Sequence, residues 1–76
     1  MPHLSPISSK KLSKLLEKEG FECVRTKGSH RFFVNKKDKR TTTIPFHGNQ
    51  DIGVGLLKKI LQDVEISAEE FNKKIK

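Results

Sequence analysis

The stretch Arg25-Thr26-Lys27-Gly28-Ser29-His30-Arg31 sets one imidazole among three cations. Cations beside an imidazole favour its neutral form, which is the form that accepts a proton. The same cations can hold a phosphate against the ring. RNA carries its own nucleophile, the 2′-hydroxyl. Cleavage then needs a base for that hydroxyl, an acid for the leaving oxygen, and stabilisation of charge on the phosphorane. An imidazole, titrating near pH ~6.5, suits either proton-transfer role. His30 with Arg25, Lys27 and Arg31 is a minimal version of such a site. A structural histidine beside a turn is the plain alternative.

The other reactive side chains offer less. His47, in Ile44-Pro45-Phe46-His47-Gly48, is a secondary candidate. It falls in a loop without a partner in sequence, and a backbone hydrogen bond would account for it. Cys23 is the only cysteine, which excludes an internal disulfide and a cysteine-based zinc cluster. Beside Val24 in mid-strand, it reads as a small apolar core residue rather than a nucleophile. His3, His30 and His47 are scattered without metal-ligand spacing, so no metal is expected. Gly53-Val54-Gly55 lacks the spacing of a nucleotide loop.

The charge map supports a polyanionic partner. Residues 1–40 hold eleven Lys or Arg against four Asp or Glu, whereas residues 41–76 hold five of each. The whole excess of +7 therefore lies in the N-terminal half. A basic surface gains affinity for nucleic acid by releasing counterions from phosphates; a lysine-rich surface kept for solubility is the alternative. No apolar run approaches the roughly 18 residues of a bilayer span, and the opening MPHLSPISSKK lacks the apolar stretch of a secretory signal. A cytoplasmic protein without membrane attachment is expected.

The elements that must position these residues are legible in outline. At 76 residues one domain with a thin core is expected, over residues 7–76 after a flexible lead-in over 1–6. A helix over 9–19 is predicted by Ser8 or Ser9 as cap, Leu12, Leu15 and Leu16 on one stripe, and Gly20 as stop. Strands are predicted over 21–27, 30–35 and 40–46, with Gly28-Ser29 as a tight turn and Pro45 ending the third strand or placing it at an edge. Alternation sets His30, Phe32 and Val34 on one side of the second strand and Arg31, Phe33 and Asn35 on the other. A phenylalanine on each side leaves the core-facing side open. Leu56, Leu57, Ile60, Leu61 and Val64 make a broad helical face, and Ser67 with Glu70 fits a capping box for a short final helix. The expected architecture is α+β, a three-stranded antiparallel sheet with helices packed on one face.

Several stretches together resemble the HicA (YcfA-like) family of messenger-RNA-cleaving toxins: Gly28-Ser29-His30 after a basic strand end, Pro45-x-His47, Gly55-x-Leu57-x-x-Ile60-Leu61, and Ile66-Ser67-x-x-Glu70-Phe71. The match runs from Ile7 to Phe71. Two positions depart from the pattern. Leu56 stands where the family usually has threonine, so another group must serve that helix end. Glu65 stands where a glycine is common, so that turn is expected to differ. The resemblance implies a double-stranded-RNA-binding-like α-β-β-β-α fold and a ribonuclease that needs no metal or other cofactor. It implies His30 as the catalytic residue and a HicB-type antitoxin that masks the site. On this reading mRNA is the substrate. Arg25, Lys27, Ser29 and Arg31 contact its phosphates, and Lys36, Lys37, Lys39 and Arg40 extend the surface. A non-catalytic RNA-binding module, or a basic face for an acidic protein, are the competing readings.

Overall fold

The computed structural model describes residues 3–48 and 50–75. Its elements run β1 (Ile7–Ser8), α1 (Ser9–Lys18), β2 (Phe21–Lys27), β3 (His30–Asn35), β4 (Thr41–Pro45), β5 (Asp51–Ile52), α2 (Val54–Asp63) and α3 (Ala68–Lys74). The protein is α+β, built on an antiparallel sheet in the order β2-β3-β4. The α-β-β-β-α order and the sheet are those of a double-stranded-RNA-binding-like fold. A two-residue pair, β1 with β5, forms a second sheet that periodicity could not announce.

Helix α1 forms where its caps and stripe require. The Ser8 side chain accepts the Lys11 amide, satisfying one of the free donors of the first turn. Leu12, Leu15 and Leu16 are buried. Ser9 is not the cap but a buried residue of the first turn, and its hydroxyl donates to the Pro45 carbonyl at 2.6 Å. This bond ties α1 to the end of β4.

Burial decides the question that the two phenylalanines left open. Phe33 is 2% exposed and Ile44 fully buried, so Arg31, Phe33 and Asn35 lie on the core side of β3. His30, Phe32 and Val34 lie on the opposite side, away from the core. A bulge at Val24 shifts the β2 register between Cys23 and Arg25, which puts Arg25 and Lys27 on the same open side as their partners Phe32 and His30. Cys23 is half-buried and packs only against the margin of the core.

Leu57, Ile60, Leu61 and Val64 of α2 join one core with α1 and the sheet, together with Phe71 of α3. Leu56 is not part of it and stands exposed. The α2 helix begins at Val54 with Gly53 as a cap that contributes no side-chain bond. Residues 3–6 are anchored rather than loose. Leu4 is buried, and the His3 carbonyl accepts from the Asn72 amide at 2.9 Å. Residues 1 and 2 lie outside the described residues.

Glu65 keeps the backbone of a glycine. Its φ is 57°, and the α2 terminus closes with Glu65 N–H donating to Gln62 O and Ile66 N–H to Leu61 O. Those two bonds, with buried Ile66 and Leu61 in the core, form a Schellman ending. The expectation of a different turn is thus corrected: the closure is retained, with a side chain in the left-handed region. That conformation costs a non-glycine residue about 1–2 kcal/mol, partly offset because glycine frees the unfolded chain by about 0.4–1 kcal/mol. Glu65→Gly is therefore expected to stabilise the fold by about 0.5–1 kcal/mol, measured as a higher denaturation midpoint at unchanged slope.

Candidate functional site

The sheet has two ends, and the candidate residues divide between them. At one end is the β2–β3 turn, Gly28-Ser29, with Lys27 and His30 as its flanking pair. Gly28 has φ 59°, as a two-residue hairpin with glycine first requires. His30 is exposed and opens β3 on the face away from the core, with Lys27 beside it in register and Arg25 two pairs further along. The Arg25 guanidinium lies 5.8 Å from the centre of the Phe32 ring, within cation–π range. One short edge of the open face thus gathers an imidazole and two cations.

The β4 exit meets this edge. Pro45 is the register partner of His30, so the residues after it pass directly beside the turn. The Phe46 N–H donates to the Ser29 carbonyl at 2.6 Å. The outcome is a contact that sequence reading did not foresee. The rings of His30 and His47 meet edge to face, with centroids 6.1 Å apart and planes at 85°. The backbone role expected for His47 is present too, since its carbonyl accepts the Gln50 N–H at 3.1 Å. The ring, however, is exposed at the same edge as His30.

Arg31 leaves its neighbour and turns to the other face. Its guanidinium stacks 3.9 Å from the centre of the Phe46 ring, at one wall of a cleft of about 500 Å³ shared with Ser8, Ser9, Lys10, Gly48 and Gln50. Lys10 and Phe46, which carry no motif, are thereby brought to one cleft with Arg31. Adjacent residues of β3 and of the β4 exit are clasped twice: His30 with His47 on one face, Arg31 with Phe46 on the other.

Lys36, Lys37, Lys39 and Arg40 belong to the far turn. Five residues of β3 separate them from His30, roughly 20 Å at about 3.3 Å per step. Two of their side chains, those of Lys36 and Arg40, have ion-pair partners among the described residues. Lys36 meets Glu22 at 2.9 Å, and the hydrogen bond to Glu22, then its charge, hold the ammonium above the ordinary lysine range. Arg40 pairs with Asp38 at 2.7 Å, lies over the Phe21 ring, and donates to the Val64 carbonyl. It secures the turn to the end of α2. Buried Asn35 completes that turn, accepting the Lys37 N–H at 2.9 Å and donating to the Glu19 carbonyl. Among the described residues no three His, Cys, Asp or Glu are grouped to hold a metal ion, and no helix is long and apolar enough to cross a membrane.

A family model described as "HicA toxin of bacterial toxin-antitoxin" matches residues 9–66. The chain belongs to the HicA toxin family. The matched span takes in α1, the whole three-stranded sheet, both histidines of the edge contact and α2, and stops short of α3. Membership in HicA also brings a partner, because a toxin of this kind is one half of a toxin–antitoxin pair. A search of curated proteins finds no match.

Proposed function

We propose that the protein is a metal-independent endoribonuclease toxin that cleaves mRNA through His30 and so stops translation and growth. The observation that carries the reading is the exposed His30 on the open sheet face, paired in register with Lys27 and followed on the same face by Arg25, the partner of Phe32. A phosphodiester seated there meets two exposed cations and an exposed imidazole. The cations neutralise the charge that grows on the phosphorane, which is the larger part of such catalysis, while the imidazole moves a proton. Arg31, on the adjoining cleft, holds a neighbouring phosphate. Ser29 shapes the turn through its carbonyl. Lys36, Lys37 and Lys39 extend the basic surface along the sheet, with Arg40 contributing mainly to the fold. The substrate places the protein in the cytoplasm, where a HicB-type antitoxin covers the histidine edge.

The test is cleavage of a purified transcript by the full chain in the presence of a chelator. Products ending in 2′,3′-cyclic phosphate and 5′-hydroxyl are expected, and a single 2′-deoxy substitution at the mapped cut should block cleavage there. Tight binding without any cutting would leave a non-catalytic RNA-binding module. Cutting that stops with chelator would overturn the metal-independent route.

A further inference from the structure

The sheet edge holds a second imidazole that the one-histidine mechanism leaves unused. Transesterification needs two proton transfers on opposite sides of phosphorus, one from the 2′-oxygen and one to the 5′-oxygen. We propose that His47 performs one of these transfers while His30 performs the other, an inference that rests on the ribonuclease reading above.

The separation suits the task. Ring centroids 6.1 Å apart allow an oxygen near either ring to sit within the ~3 Å reach that proton transfer requires. The perpendicular arrangement leaves one ring's edge turned to the other's face, so the two rings are not stacked face to face. Both side chains are exposed at one edge, open to a chain-length substrate.

The surroundings hold His47 in place. The residue before it is bonded to Ser29 through its amide and stacked under Arg31 through its ring. The residue before that accepts from buried Ser9. After it, Gln50 donates to the His47 carbonyl. Two of these contacts tie the β4 exit to the β2–β3 hairpin and a third ties it to α1, as a preorganised proton-transfer group requires.

The step balances without an outside reactant. Neutral imidazole takes the 2′-hydroxyl proton as the 2′-oxygen bonds to phosphorus. The bond from phosphorus to the 5′-oxygen breaks, and the second imidazole, protonated at the start, gives its proton to that oxygen. The two rings end with exchanged charges and reset through water.

His47→Ala and His47→Gln are compared with wild type and His30→Ala on three readouts: cleavage against pH, binding of an uncleavable 2′-deoxy RNA, and cleavage of RNA with sulfur in place of the leaving 5′-oxygen. Both His47 variants should bind the 2′-deoxy RNA as wild type does, cut ordinary RNA about 100-fold or more slowly, and lose one limb of a two-limbed pH profile. A thiolate leaves without a proton, so the sulfur substrate should restore the variants at one histidine and not at the other, assigning acid and base. His47 variants that cut at the wild-type rate, or cut slowly with both limbs intact, overturn the proposal. In that case, loss of cleavage in His30→Ala leaves the ribonuclease reading standing. A wild-type protein that cuts no transcript overturns both.

Discussion

His30→Ala should yield a folded protein that no longer arrests growth when induced and cuts purified transcript about 100- to 10,000-fold more slowly, the range that a positioned proton-transfer group supplies. The expectation rests on where the side chain is. His30 is exposed on the open face, touches no core residue of β3, and its backbone pairing with Lys27 and Pro45 survives truncation. Substitutions at such positions change stability by no more than about 0.5 kcal/mol, so thermal unfolding should stay within a few degrees of wild type. Binding of an uncleavable RNA should also persist, because Arg25 and Lys27 supply its charge. A variant that melts normally and still cuts at full rate would remove His30 from the mechanism. A variant that fails to fold would contradict the open-face placement.

The largest effect on stability is expected at Phe33. Its ring is 2% exposed at the centre of the sheet, between Cys23 on β2 and Thr42 on β4. Phe→Ala in a packed core costs about 3–5 kcal/mol. A chain of 76 residues has in all roughly 4–11 kcal/mol to lose, at about 0.05–0.15 kcal/mol per residue. Phe33→Ala should therefore lower the melting temperature by on the order of 15–30 °C, at about 4–8 °C per kcal/mol, and leave a large unfolded fraction at 37 °C. Phe32→Ala is the internal control. Phe32 is half-buried on the open face, and its loss should cost far less. Equal losses at the two positions would mean that the sheet is not one-sided.

Most of the fold could be read from local signals, and the reasons for the exceptions are specific. Ser8 capping α1, the Leu12, Leu15 and Leu16 stripe, Gly28 in the hairpin and the Ser67–Glu70 box are short-range features whose chemistry lies within a few residues. The strands β1 and β5 are two residues each, too short to show a period. Leu56 fits the apolar pattern of α2 but faces outward, since a stripe does not state where the neighbouring element stops. The sides of β3 could not be ranked because Phe32 and Phe33 are adjacent. Arg40 read as one more surface cation, because nothing local announces that the Val64 carbonyl receives it. The site was half legible. His30 stood out by its neighbours in sequence, but His47 is seventeen residues away and reaches it only through the register that pairs His30 with Pro45.

That register has a consequence for the timing of harm during synthesis. His30 and His47 meet only when β4 lies against β3, and β4 is held there by Ile44 in a core that includes Leu57, Ile60, Leu61, Val64 and Phe71. Those residues are the last of the fold to leave the ribosome. A growing chain thus carries both histidines before the helices that complete the core, and a chain truncated before α2 is expected to hold the histidine edge less firmly. On the proposed reading, the histidine edge is completed late, when the C-terminal helices close the core. An antitoxin that recognises the finished sheet edge would then meet its target as that edge forms.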